Sequence, residues 1–394
     1  MRTKIINILK KIKPENDLKL IFTVSLLSRL LLVAFMIFAV GNQTGLFERA
    51  GRALIHWDGA WYTDIAANGY DADYSDLSPD HVLCNSGTGF CQRNFAFFPV
   101  YPALVRALGE ILGNLNLAAV LISNAAFVLA AMLLFKFAKS LFGRRTAYYS
   151  ILALWLWPAG YVFSAAMTES LFLLLLLAVY YSFYYKKYLI AGILGALISA
   201  TRNTGILVLL PMALILLEQS GYRLTLKKLN LKIVAGFLLV SFGLLLFMIY
   251  LNFRTGDPFA FINIQEYWDK PVLGLTPLYA LYLSLFDYRL EGGITVHLYN
   301  LVYLAGIISL FFWSHLKKVL PFSLNVVLLF ILVPMTAGTL LSLSRYTAVL
   351  FPVYLLLGNI AKKHEKLMLF VYLGFFVLLI ALSYLYARGH WITV

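Results

Sequence analysis

The chain has 394 residues, of which 61% are hydrophobic and only 13% charged. Charge at that density cannot cover a water-soluble surface, and a mean hydropathy of +0.82 points to an all-α polytopic membrane protein forming a single unit over residues 1-394. A formal net charge of +14 raises nucleic acid as a partner, but the placement of the charges argues against it.

A basic tail, 1-18, precedes a first apolar run that carries Arg29 and lacks a small-residue cleavage site, which reads as an uncleaved signal-anchor helix. Apolar runs then recur along the chain. They predict spans at roughly 19-41, 114-135, 146-163, 169-185, 188-201, 204-218, 232-253, 295-313, 319-342, 346-361 and 367-387, about eleven crossings. With the N-terminus inside, seventeen of the eighteen lysines fall on the inner side and only Lys270 outside. The basicity is therefore topological. Outside, arginine nearly replaces lysine: Arg49, Arg52, Arg93, Arg106, Arg202, Arg254, Arg289, Arg345 and Arg388. A guanidinium fork suits a phosphate-bearing ligand, although exclusion of lysine by topology accounts for part of the bias.

Two long outer segments, 42-113 and 254-294, are functional candidates. Within the first, HWDGAWYTDIAANGY (56-70) predicts a short surface helix with Trp57, Trp61 and Ile65 on one face, Asp58 and Tyr62 on the adjoining one, and Asn68-Gly69 as a stop. A second surface helix is expected over 97-111. Cys84 and Cys91, the only cysteines, are a disulfide candidate in the same loop, with free thiols as the other reading. Farther along, 188-218 is too long for one helix and breaks at Thr201 to Gly205, which places Arg202 in protein-lined space below the membrane surface. Arg29 and Glu169 are intramembrane ionisable groups by the same logic.

Six segments in order, HWDGAWYTDIAANGY, NFAFFPVYPALVRAL, SAAMTESLFLLL, SATRNTGILVLLP, SRYTAVLFPVYLLLG and ARGHWITV, resemble the PIG-V family of mannosyltransferases, from Arg29 to the C-terminus. That resemblance implies a GT-C glycosyltransferase fold, surface helices in the first outer loop, and a polyprenyl-phosphate sugar as donor. The acceptor, lipid- or glycan-linked, is not matched by it.

Such a donor needs a base for the acceptor hydroxyl, cations for the departing phosphate and an apolar groove for the prenyl chain. Asp58 is the expected catalytic base, since desolvation beside Trp57 and Trp61 raises proton affinity, and an inverting transfer needs one base. Asp64, Asp257 and Asp71 are the other acids weighed. Arg202 and Arg345 are the expected phosphate ligands, against a reading as helix-end arginines reaching headgroups. His56 is weighed as a group orienting Asp58 or the sugar and as a plain interfacial histidine. Trp57, Trp61 and Tyr62 complete the expected substrate-binding set. Glu169 either hydrogen-bonds the sugar or pairs with Arg202, and Arg29 is read as a partner for an acid before a ligand. No metal or other cofactor is required. Asp58, Asp64, Asp71, Asp73, Asp76 and Asp80 are numerous enough for a divalent cation but lack an EF-hand spacing or a His/Cys set. No nucleotide fingerprint appears.

A transporter or flippase is the rival class, disfavoured because no repeat relates the halves and the polar material lies toward one face. A non-catalytic scaffold gives no reason for WDGAWY. The expected location is a bacterial or archaeal cytoplasmic membrane with an outward site, or the endoplasmic reticulum in a eukaryote. Partners expected are the donor, the acceptor and membrane lipids, and no nucleic acid.

Overall fold

A computed structural model describes residues 14-41, 45-71, 93-223, 230-265, 278, 281-282, 293-333, 340-390 and 392. Cys84 and Cys91, Asp73, Asp76 and Asp80, Lys270 and most of 254-294 lie outside them. Among the described residues every regular element is helical. In chain order these are α1 (Asp17–Ala39), α2 (Leu46–Leu54), α3 (Asp58–Asn68), α4 (Val100–Leu112), α5 (Leu115–Phe142), α6 (Arg144–Trp155), α7 (Glu169–Tyr184) and α8 (Tyr188–Ser199). There follow α9 (Leu209–Gln219), α10 (Leu231–Thr255), the single turn α11 (Ala260–Asn263), α12 (Gly293–Leu316), α13 (Phe322–Leu328), α14 (Leu343–Ala348), α15 (Pro352–Lys363) and α16 (Glu365–Ala387).

Five described helices are long and apolar enough to cross a membrane: Pro14–Ala39, Leu115–Phe142, Leu231–Thr255, Thr295–Leu316 and Glu365–Ala387. The other expected crossings are shorter. The run at 146-163 ends as helix at Trp155, because Pro158 disfavours helical geometry at Trp157. The run at 346-361 is divided between α14 and α15, with Pro352 opening the second. Hydropathy reads through such breaks because irregular backbone at membrane depth is tolerated where protein buries it. All of residues 157-170 are buried.

The two surface helices expected from the sequence are α3 and α4. A third, α2, was not anticipated. The break in 188-218 also falls where the sequence placed it, with α8 ending at Ser199 and a 3-10 turn at Asn203–Val208 leading into α9.

Two features hold the helices in register around the site. At the lysine-rich end, acids tie helix termini together. Asp17, 1% exposed, accepts from Lys139 at 3.0 Å, Arg144 at 2.7 Å and Tyr148 at 2.7 Å. Glu365 pairs with Arg145 and Tyr149, and Glu218 accepts from the backbone N–H and hydroxyl of Ser323. Elsewhere α8 and α10 meet through glycines. A Cβ at Gly236 would stand 2.7 Å from the carbonyl oxygen of Tyr188, and one at Gly243 only 1.9 Å from that of Ala196. Small residues let the two backbones touch, and the Ser199 hydroxyl donates to Val240 O at 2.6 Å across the contact. That seam fixes the end of α8, from which Thr201 and Arg202 emerge.

Candidate active site

Asp58 is the first residue of α3, and the turn that delivers it is strained. Trp57 has φ 53° and ψ −122°, a conformation that a bulky L-residue adopts only when its surroundings impose it. The imposing contact is visible at Gly59, where a Cβ would sit 2.9 Å from Ala166 O. Ala166 N–H in turn donates to Leu54 O at 2.9 Å. The surface helix is thus pressed onto the buried irregular segment between α6 and α7.

That segment is pinned through its carbonyls. Ser123 donates to Met167 O at 3.0 Å, Asn124 to Ser164 O at 3.2 Å, and Ser170 to Phe163 O at 2.9 Å. Buried backbone acceptors are obligatory hydrogen-bonding groups, and Ser123 and Asn124 of α5 and Ser170 of α7 satisfy these three. Arg29 does the same work. Its Nη1 donates to Gly160 O at 2.9 Å, its Nη2 to Trp155 O at 3.4 Å, and its guanidinium lies 4.3 Å from the Phe127 ring centre. No acid lies within ion-pair distance of Arg29 among the described residues. Where an acid partner was expected, Arg29 caps backbone carbonyls.

Four charged side chains then meet from four separate parts of the chain. Arg345 Nη2 lies 2.8 Å from Asp58 Oδ2, and Arg345 Nε lies 3.3 Å from Glu169 Oε1. The same Glu169 oxygen is 2.9 Å from Arg202 Nη1. The order is Asp58, Arg345, Glu169, Arg202, alternating in sign and neutral in sum. Burial is deepest at its middle: the Asp58 side chain is 26% exposed, Arg345 4%, Glu169 1% and Arg202 11%. Glu169 Oε2 is buried and accepts no hydrogen bond among the described residues. Tyr346 forms one wall, with its ring centre 4.7 Å from the Arg202 guanidinium and 5.7 Å from that of Arg345.

Arg345 is delivered by a second strained turn. Ser342, which precedes α14, has φ 65°. The Asn300 side chain on α12 accepts from Ser344 N–H at 2.8 Å and holds the turn from behind.

The remaining expected residues separate. Tyr62 is 4% exposed, packs edge-on against Phe97 and Tyr101 with ring centres 5.2 Å apart, and is hydrogen-bonded to Thr168. Burial pushes its hydroxyl well above the usual tyrosine range against the opposing charge of Arg202, so it stays neutral. Trp61 stacks on Phe97 with ring centres 5.5 Å apart, and Trp57 is half-buried in its turn. Asp64 is exposed, accepts from Asn68 at 2.7 Å, and lines an open cavity of about 510 Å³ with Arg52, Thr63 and Asn116. It therefore does not join Asp58. The His56 ring packs edge-on against Tyr386 with ring centres 5.2 Å apart. It ties α2 to the end of α16, with burial holding its pKa below the usual histidine value.

Three other arginines assigned to this face are engaged elsewhere. Arg52 pairs with Glu48 and Arg106 with Glu110, all exposed, while Arg254 donates to Tyr70 O at 2.9 Å. Of the arginines expected on this face, Arg202 and Arg345 are the two that meet Asp58 and Glu169. Sequence reasoning missed Tyr386, which α16 brings to His56, and Met167, whose Sδ is 3.8 Å from Arg345 Nη1. Among the described residues no three His, Cys, Asp or Glu side chains are grouped to hold a metal ion.

The fold is that of the GT-C glycosyltransferases. It superposes on ArnT from Cupriavidus metallidurans bound to undecaprenyl phosphate with a TM-score of 0.54, 16% identity and coverage of 88% of this chain and 60% of that one. It also superposes on the Archaeoglobus fulgidus oligosaccharyltransferase tethered with an acceptor peptide, with a TM-score of 0.55, 12% identity, and coverage of 96% of this chain and 56% of that one. In sequence, residues 98–250 match the family described as dolichyl-phosphate-mannose-protein mannosyltransferase. The chain is 26% identical over 210 residues to GPI mannosyltransferase 2 of Cryptococcus neoformans, covering 48% of this chain and 45% of that protein. The match thus spans less than half the length of this curated relative.

Proposed function

We propose that the protein is an inverting glycosyltransferase that moves a sugar, mannose before any other, from a polyprenyl-phosphate donor to a hydroxyl of a lipid- or glycan-linked acceptor. The carrying observation is the neutral chain Asp58, Arg345, Glu169, Arg202, delivered by two strained turns. Similarity to a mannosyltransferase and to a fold seen with undecaprenyl phosphate supports the donor class. The positive-inside distribution of lysine supports a site on the extracytoplasmic face.

In this reaction Asp58 accepts the proton of the acceptor hydroxyl. The freed oxygen bonds to the anomeric carbon on the face opposite the phosphate, and the carbon–oxygen bond to phosphate breaks with its electron pair, releasing the prenyl phosphate and inverting the centre. Arg202 and Arg345 stabilise the charge that gathers on the leaving phosphate. Glu169 holds both guanidiniums through one oxygen, and its second, unpartnered oxygen is placed to accept a sugar hydroxyl.

The test compares labelled transfer from prenyl-phosphate mannose and prenyl-phosphate glucose into membrane lipids and proteins. Transfer of mannose supports the reading. Exclusive use of glucose selects the alternative, a GT-C transferase for another lipid-linked sugar. If neither label enters a glycosidic bond and purified protein instead carries substrate across liposomes, the enzyme reading fails.

A further inference from the structure

Arg345 faces two anions in the structure and must face a third during the proposed reaction. Its short contact is with Asp58 at 2.8 Å, its contact with Glu169 is longer at 3.3 Å, and its Nη1 lies 3.8 Å from the thioether of Met167. Asp58, the most exposed member of the chain, is also the partner that a ligand displaces most readily. Glu169, 1% exposed and shared with Arg202, stays.

We infer that the Asp58–Arg345 ion pair is the resting state of an ordered mechanism in which the donor phosphate takes Arg345 from Asp58 and thereby readies the base. A carboxylate in contact with a guanidinium is stabilised in its charged form and is a poorer proton acceptor. When the phosphodiester of the donor occupies Arg345, Asp58 loses that stabilisation and regains basicity as the acceptor arrives. Charge is conserved through the step. Before transfer the negative charge sits on Asp58 and on the phosphodiester. Afterwards Asp58 is protonated and the product phosphate, now a monoester, carries the additional charge. Arg345 stands between the two places that exchange this charge, so it follows the charge without leaving the site.

This inference rests on the reading of Arg345 as a phosphate ligand and Asp58 as the base, and it makes a prediction that neither role makes alone. Removing the base must tighten product binding. The probe is a short-chain polyprenyl monophosphate titrated into the full-length detergent-solubilised protein, with the matching prenol as a control for the lipid tail. Asp58→Asn and Asp58→Ala each remove the competing carboxylate and leave Arg345 with the longer Glu169 contact alone among the described residues. Both variants are expected to bind the monophosphate about tenfold more tightly than the wild type, the size of one charge-assisted contact. Prenol affinity is expected to be unchanged, and Asp64→Asn is expected to bind like the wild type.

Unchanged or weaker binding of the monophosphate in both Asp58 variants overturns the inference, as does equal tightening for prenol. Failure of the underlying reading is separate. Arg345→Gln binding the monophosphate as tightly as the wild type removes the phosphate role, and undiminished transfer by Asp58→Asn removes the base.

Discussion

Arg345 and Asp58 come from opposite ends of the sequence and meet with Nη2 and Oδ2 2.8 Å apart, each delivered by a helix whose preceding residue has positive φ. Those residues are Ser342 and Trp57, with φ 65° and 53°. Strain at both turns is maintained by neighbouring contacts, and it fixes where the two side chains can point.

The contact that maintains the Asp58 turn gives a first prediction. Gly59→Ala introduces a Cβ 2.9 Å from Ala166 O, a backbone atom that cannot rotate away. The variant is expected to lose about 1–3 kcal/mol of stability and to lose kcat more than donor affinity, because Asp58 shifts while Arg202 does not. Thermal melts and steady-state kinetics in detergent read both effects.

Arg202 gives a second. It is paired with Glu169 at 2.9 Å and sits against the Tyr346 ring. Lysine keeps the charge but not the planar fork, so Arg202→Lys is expected to lower kcat/KM for the donor by about 100-fold. Replacing Arg202 by lysine with less than a fivefold loss would reduce it to a structural partner of Glu169.

Arg29 behaves differently. Arg29→Met strands the carbonyls of Trp155 and Gly160, at roughly 1–3 kcal/mol for each buried acceptor left unpaired. The melting temperature is expected to fall while donor KM stays within about twofold, as expected for a residue that donates to backbone and not to substrate. A raised donor KM at unchanged stability would restore the ligand role.

His56 supplies a pH dependence. Burial lowers its pKa below 6.5 in the folded protein, so as pH falls the unfolded chain binds the proton first. Its contribution to stability is complete above about pH 6.5 and is lost progressively below that value. Relative to pH 7.5, the wild type is expected to melt lower at pH 5.5 by more than His56→Gln does. Equal losses in the two proteins would contradict it.

Much of this arrangement was legible in sequence, and the failures have physical causes. Motif residues Asp58, Glu169, Arg202 and Arg345 do converge, because each sits where an apolar run is interrupted and irregular backbone needs a polar neighbour. The break at Thr201 to Gly205 was readable for the same reason. Hydropathy read through buried irregular backbone that is as apolar as helix, as at 157-170, where the run expected over 146-163 ends as helix at Trp155. It also failed for Arg29, since sequence cannot distinguish a carbonyl acceptor from an acid. The direct Asp58–Arg345 contact had no local signal at all. Desolvation by the tryptophans suggested a raised proton affinity for Asp58, but the guanidinium beside it opposes that effect.

The most direct test of the central claim is the initial rate of transfer from prenyl-phosphate mannose by Asp58→Asn, measured on protein whose melting temperature matches the wild type. The side chain keeps its shape and loses its basicity. The account predicts a fall in rate of about 100-fold to 10,000-fold, while a rate within a few-fold of the wild type would contradict Asp58 as the base.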